Sequence, residues 1–293
     1  LNSFSISQLQ QFSGIKAHTI RIWEQRYNAL QPERSEGNTR YYNSAQLRRL
    51  LNIVSLSTND YKVSELCRMP DAQLNRLLEE QMKNLSAANE PYEYFISQMV
   101  GAAMDFDEAH FEKMFSACVV RFGIRQTYGK VIYPLLNRVG MMWACDSLPP
   151  AQEHFVSNLI RQKLFTALDG LPPATHSRNT WLLFLPENEF HEIGLLMANY
   201  LIRQSGKRTI YLGANVPFES LQKTAAAVKP SHLLLFFVHH DLPEKTQAYL
   251  HLLKKNFRQT TICLSGNPKL IEQLNTGKEM NWIRSMEQLE KML

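Results

Sequence analysis

From Asn179 onward, apolar runs of strand length alternate with amphipathic stretches of helical length. TWLLFLP leads into HEIGLLMANYLIRQSG, RTIYLGANVP into FESLQKTAAAVK, and SHLLLFFVH into PEKTQAYLHLLKKNF. TTICLSGNP then precedes KLIEQLNTG, and NWIRS precedes MEQLEKML. A run that is apolar at nearly every position has to be covered on both faces. Five such runs separated by helices predict a parallel sheet with helices on either side, over residues 176–293. Ligands of such sheets bind beyond the carboxyl ends of the strands.

The stretch PENEFHEIG, 186–194, falls at that edge, just after the first strand. An imidazole that binds a transition metal needs its other ring nitrogen held, commonly by a carboxylate, which fixes the tautomer. Glu189 can do this for His191, and Gly194 leaves the backbone open to close approach. His239 and His240 are adjacent on a strand end and so point to opposite faces, as ordinary polar residues do.

Residues 76–175 carry few strand signals. FEKMFSACVVRF, YGKVIYPLLNRVGMMW and EHFVSNLIRQKLFTAL have helical periodicity, which predicts a bundle of about four helices. Glu90-Pro91, the LPP at 148–150 and LPPATHSRN at 171–179 interrupt the pattern. Trp143 ends one predicted helix, and Glu153-His154 lies near the start of the next. The three can meet at one end of the bundle; taken alone, the residues are better read as a core tryptophan and a helix-start Glu-His pair.

Residues 1–75 have a different character. Ser5-Ile6-Ser7-Gln8 has the form of a capping box ahead of Leu9 and Phe12. Gly14 breaks that helix, and AHTIRIWEQRY opens a second with Ile20, Trp23 and Tyr27 on one stripe. Two short helices about a glycine turn predict a helix-turn-helix. LQPERSEGNTRYY follows, with Pro32 as helix stop and Gly37-Asn38 at a hairpin tip, and reads as a wing. Ser44 to Leu47 opens another helix, with Leu47, Leu50, Leu51 and Val54 as its apolar face. Residues 1–54 hold seven Lys and Arg against three Glu, nearly the whole formal surplus of +5. Such concentration of positive charge suits a polyanion.

Other classes are disfavoured. Cys67, Cys118, Cys145 and Cys263 form no CxxC pair, which argues against a zinc site or a disulfide framework. No apolar run approaches the roughly 20 residues of a membrane helix, and the first residues lack a signal pattern. A cytoplasmic protein with no membrane partner is expected.

The N-terminal stretch FSISQLQQFSGIKAHTIRIWEQRYNALQPERSEGNTRYYNSAQLRRL resembles, along its whole length, the DNA-binding domain of MerR-type transcription regulators. The resemblance implies that Thr19, Arg21 and Arg26 of the second helix, with Arg40 and Tyr41 of the wing, face double-stranded promoter DNA. Glu189-x-His191-x-x-Gly194 resembles the Asp-x-His-x-x-Gly signature of cobalamin-binding domains, with glutamate in place of aspartate. Trp143-x9-Glu153-His154 resembles an element of cobalamin-dependent MerR regulators of the CarH/LitR type.

That likeness implies a winged helix-turn-helix (1–75), a helical cap domain (76–175) and a flavodoxin-like, Rossmann-type cobalamin domain (176–293). His191 would ligate cobalt from below, with Glu189 and Gly194 beside it. Trp143, Glu153 and His154 would lie in the cap, and Ser265 and Gly266 along the pocket for the nucleotide tail. The chain departs from the family in two places. FFVHHDL replaces a Ser-x-Leu motif after the third strand, and Gly266-Asn267 replaces Gly-Gly. Phe236, Phe237 and Val238 either narrow the tail pocket or are strand core.

The expected function is a DNA-binding regulator, repressing rather than activating. Its self-association to dimer or tetramer would be set by cobalamin, the adenosyl form above others, with light as a signal. The alternative is a regulator whose domain keeps the fold but acts without cobalamin, through another ligand or a protein partner. A corrinoid-dependent enzyme is not expected, because the chain has no unassigned length for a substrate-activating domain.

Overall fold

The computed structural model describes residues 3–35, 37–57, 61–84, 92–144, 150–174, 179–238, 243–277 and 279–293. The chain forms two compact units, 1–159 and 160–293.

In the first unit a short strand, β1 (Ser3–Phe4), precedes α1 (Ile6–Ser13). The capping box forms: Ser5 Oγ accepts from the Gln8 amide, and Gln8 Oε1 from the Ser5 amide. Gly14 ends α1 in the left-handed region, a backbone state that glycine reaches without steric cost, and α2 (Ala17–Tyr27) follows. The wing pairs β2 (Glu33–Arg34) with β3 (Arg40–Asn43), and β1 takes the other edge of β3. Of the α2 stripe, Ile20 and Trp23 are buried, while Tyr27 is half-buried. They share this unit's core with Leu9, Phe12, Tyr42 and the apolar face of α3 (Ser44–Ser57): Leu47, Leu50, Leu51 and Val54.

Helices α4 (Val63–Leu66) and α5 (Asp71–Asn84) lead to four more, α6 (Tyr92–Asp105), α7 (Glu108–Thr127), α8 (Tyr133–Ala144) and α9 (Pro150–Asp169). Gly123 has a positive φ and a non-helical ψ that kink α7, and one π-helical turn (Tyr128–Ile132) joins it to α8. Pro150 stands at the first position of α9, where its missing N–H costs nothing. Glu90-Pro91, Leu148-Pro149 and residues 175–178 lie outside the described residues.

The helix-turn-helix and the helices that follow it are packed together. Leu51 of α3 approaches Gly101 of α6, so the two helices meet where one lacks a side chain. Arg138 of α8 donates to both Glu93 oxygens at 2.8 and 3.0 Å and to the Phe12 carbonyl at 3.3 Å. A single guanidinium thus ties the last turn of α1 to α6.

The second unit holds a five-stranded, wholly parallel sheet in the order β5-β4-β6-β7-β8. Its strands are β4 (Thr180–Pro186), β5 (Arg208–Val216), β6 (His232–Phe237), β7 (Thr261–Gly266) and β8 (Met280–Trp282). Every residue of β4 is buried. A leucine or phenylalanine so placed contributes roughly 1.5–3 kcal/mol. The intervening helices are α10 (Ile193–Gln204), α11 (Phe218–Val228), α12 (Pro243–Asn256) and α13 (Pro268–Ile271), with α14 (Met286–Glu290) last. α13 is only one turn, shorter than KLIEQLNTG suggests, and is capped by Asn267 Oδ1 at 3.0 Å from the Lys269 amide.

The chain runs outward from β4 to β5 and then crosses back to β6. Right-handed connections therefore put α10 and α11 on opposite faces. Leu182, Phe184, Leu233, Leu235 and Phe237 share one core with Leu221 of α11 and Leu250 of α12. Strand alternation turns Leu234 and Phe236 to the α10 face instead. The strand order reverses between β4 and β6, so the ligand-binding crevice of this sheet opens there.

Candidate functional site

The loop 187–192, between β4 and α10, stands at that reversal point. Asn188 adopts a left-handed backbone, which asparagine tolerates better than most residues. Its amide donates to Asn215 Oδ1 at 2.9 Å. Asn215 in turn donates its amide to the Glu189 carbonyl at 3.1 Å. The end of β5 is thereby zipped to the histidine loop.

Glu189 is the keystone, and it is only 5% exposed. Its Oε1 accepts from the Phe190 and His191 amides at 2.9 and 3.0 Å and from His191 Nδ1 at 2.6 Å. Its Oε2 accepts from the Val238 amide at 2.8 Å, across the reversal point at the end of β6. A buried carboxylate needs this many donors to offset its lost hydration. With the proton on Nδ1 directed at Glu189, Nε2 carries the imidazole lone pair.

The His191 side chain is 54% exposed, flanked by Phe190 at 62% and Val238 at 37%. The exposed face of the ring is thus accompanied by apolar side chains at the edge of the sheet. Among the described residues no three His, Cys, Asp or Glu side chains come together as a cation site. One imidazole is a poor holder of a bare cation, since protein sites use three or four ligands. It suits a metal that brings a macrocycle of its own. On donor chemistry, the residues fit the lower axial position of a corrinoid.

Glu192, one residue beyond the histidine, is also buried, and its presence in the site has no signal in the spacing of the motif. Arg161 of α9 pairs with its Oε1 at 2.5 Å, and the Tyr211 hydroxyl donates to its Oε2 at 2.9 Å. Burial, reinforced by the Glu192 charge, pushes the Tyr211 phenol far up, so it stays a donor. Two buried glutamates thus grip the loop on either side of His191.

Gly194 opens the first full turn of α10. A Cβ there would lie 2.8 Å from Cε1 of Phe236, so the space beside this glycine is taken by a phenyl ring of the chain itself. Gly266 stands at φ 126°, and a Cβ would fall 2.0 Å from the Phe237 carbonyl oxygen. Ser265 Oγ donates to the Ile283 carbonyl at 2.7 Å. Both residues of this pair hold strands together in the structure.

Glu153 and His154 lie in the first turns of α9, where Glu153 Oε2 is 2.9 Å from His154 Nδ1 and the imidazole is largely exposed. Trp143 is in the last turn of α8, but its side chain lies outside the described residues, as do His239, His240 and Cys145. Cys67, Cys118 and Cys263 are buried thiols; burial pushes Cys67 up to about 11 and Cys263 up to about 12.

In the helix-turn-helix, Arg21 and Arg26 are exposed on α2, with Thr19 half-buried beside them. Tyr41 is exposed on the wing at 38%. Arg40 is held differently: its Nε lies 3.2 Å from Glu24 Oε2, and the Tyr42 hydroxyl donates to the other oxygen of Glu24. That trio joins α2 to β3 from within.

Residues 4–73 match the MerR HTH family regulatory protein model, and residues 95–167 match the B12 binding domain. The chain thus carries a MerR-type helix-turn-helix segment followed by a B12-binding segment. It is 29% identical over 231 residues to the HTH-type transcriptional repressor CarH of Myxococcus xanthus, covering 78% of this chain and 76% of that protein. To CarA of the same organism, also named an HTH-type transcriptional repressor, it is 29% identical over 84% of this chain and 80% of the relative. The monomethylamine corrinoid protein of Methanosarcina barkeri shares the fold, at a TM-score of 0.55 and 14% identity, over 68% of this chain and 96% of that one. No helix among the described residues is long and apolar enough to cross a membrane.

Proposed function

We propose that this chain is a cytoplasmic DNA-binding repressor, not an enzyme, whose self-association is set by a corrinoid ligated through His191 Nε2. The observation that carries the reading is the lock between Glu189 and His191. A buried carboxylate fixes one ring nitrogen at 2.6 Å and so presents the other. An adenosyl form would bring a cobalt–carbon bond that light can cleave. The chain's own part is to hold the loop rigid through Glu189 and Glu192, to present apolar surface beside His191 with Phe190 and Val238, and to read DNA with Arg21 and Arg26. A ligand shifts assembly only as far as it favours one arrangement over another.

The test is an absorption spectrum of the protein after incubation with adenosylcobalamin and desalting, in darkness and after green light, with size and DNA binding followed in parallel. A retained corrinoid spectrum that changes on illumination, together with a change in assembly, supports the reading; a protein left colourless by adenosylcobalamin and by adenosylcobinamide alike sinks it. One observation favours the second reading, a regulator that works without cobalamin: the Phe236 ring already fills the space beside Gly194. Under that reading His191→Ala leaves DNA binding and assembly unchanged, with and without the cofactor.

A further inference from the structure

Where a protein histidine takes the lower position on cobalt, the cofactor's own nucleotide base must leave the metal. The base is tethered to the same face of the ring, so it has to enter the protein on the histidine's side. Past His191 the sheet offers a seam between the first turn of α10 and the end of β6. Gly194, lacking a side chain, lines one wall of that seam. The other wall is Phe236, which strand alternation turns toward α10. Its Cε1 and Cδ1 would stand 2.8 and 3.2 Å from a Cβ at Gly194, so ring and backbone are already in contact.

The backbone around the seam leaves little freedom to widen it. Val238, two residues after Phe236, is bound to Glu189 Oε2 at 2.8 Å, and Phe236 pairs in register with Ser265 of β7. Ser265 is itself tied to the Ile283 carbonyl at 2.7 Å. On the β6 side, space for a second aromatic group would thus have to come from rotation of the Phe236 side chain.

Resting on the corrinoid reading above, we propose that Phe236 is a specificity-determining residue that closes the tail seam. The chain thereby discriminates against corrinoids bearing a nucleotide tail and favours tail-less, cobinamide-type corrinoids.

The test compares aquocobinamide with aquocobalamin on one preparation, so the ratio of their affinities is independent of the active fraction. Displacing the base from cobalt costs the same whatever residue stands at 236, so the informative quantity is how the ratio changes with the variant. Phe236→Ser should move it toward aquocobalamin by about tenfold or more, and Phe236→Leu, which keeps most of the volume, by less. A ratio within about twofold of the original in both variants overturns the seam proposal and leaves the corrinoid reading standing. Reduced cobinamide carries no base of its own, so nitrogen splitting in its Co(II) electron resonance spectrum can come only from the protein. If neither corrinoid binds and that splitting is absent from the original chain, the cofactor reading fails and this inference falls with it.

Discussion

Glu189 and His191 are locked by a 2.6 Å contact whose far side is anchored on another strand, because the same carboxylate accepts the Val238 amide at 2.8 Å. The carboxylate therefore serves both fold and site. Replacing it with glutamine keeps one acceptor but turns an NH2 group toward a donor. Leaving a buried donor unmet costs about 1–3 kcal/mol, so Glu189→Gln should lower the denaturation midpoint. Mutating such an outer partner of a metal ligand also weakens affinity about 10–100-fold. Both effects are checked by urea titration and by corrinoid titration of the same variant. A loss of affinity without a loss of stability would contradict the bridging role.

Gly266→Ala should act on folding rather than on ligand. A Cβ there meets the Phe237 carbonyl oxygen at 2.0 Å. The backbone φ of 126° also lies in a region that residues with a side chain rarely adopt. Backbone strain of this type costs about 1–3 kcal/mol before the clash is added. We expect little soluble protein or a sharply lowered melting temperature. A stable Gly266→Ala protein with altered corrinoid binding would instead return this residue to the ligand pocket.

Arg21 and Arg40 should separate in their effects on DNA. Arg21 is exposed on α2. Arg21→Ala should therefore weaken binding and lower the slope of log affinity against log salt by about one, as loss of a phosphate contact does. Arg40 is committed to Glu24, whose side chain is only 6% exposed. Arg40→Ala leaves that carboxylate with the Tyr42 hydroxyl but without its cation. Its main effect should be about 1–3 kcal/mol of lost stability. Fluorescence anisotropy over a salt series, alongside thermal melts, distinguishes the two.

Much of this architecture is legible in the sequence because the relevant patterns are local. Ser5 and Gln8, Gly14, and the wholly apolar run of β4 each report on their own few residues. His191 at a strand's carboxyl edge follows from the same reading, and so does the pairing with Glu189. Arg161 lies far from Glu192 in sequence, as Arg138 does from Phe12 and Asn215 from Glu189, and no periodicity brings such partners together. A wing arginine usually faces outward, so the sequence pattern turns Arg40 toward DNA. The acidic Glu24 inside α2 is a signal for the alternative, but only the fold shows that it points at β3. Phe236 is legible as a departure from the Ser-x-Leu pattern; that its ring settles on Gly194 depends on the sheet order.

Arg138→Ala should uncouple the helix-turn-helix from the helices above it. The guanidinium binds both oxygens of Glu93 and the Phe12 carbonyl. Charge-assisted bidentate pairs of this kind are among the stronger polar contacts. Its loss leaves Glu93 without its cation and the end of α1 without its tie, at a cost of about 1.5–3 kcal/mol. Lysine restores the charge but not the fork, so Arg138→Lys should recover only part of it. Denaturation followed by tryptophan fluorescence, paired with DNA titration, checks both variants; equal stability of the original, Ala and Lys proteins would refute the tie.

The pH response has a definite sign. His110 donates within a polar cluster to Gln98 Oε1 at 3.1 Å. Burial lowers its pKa below the ordinary 6.5, with Lys113 adding to the effect and Asp107 opposing it. His232, stacked on Trp181 with ring centres 4.1 Å apart, is lowered by burial as well. In both cases the unfolded chain binds the proton more readily than the folded one. The stability these histidines provide is complete above the unfolded value of about 6.5 and is lost as pH falls from there through the lowered folded values. Below those values the loss levels off. The melting temperature should therefore decline as pH drops below about 6.5, and His110→Gln should flatten part of that decline. A melting temperature that rises on acidification, or a variant with the same slope as the original, would show that the imidazole of His110 is not held neutral by the fold.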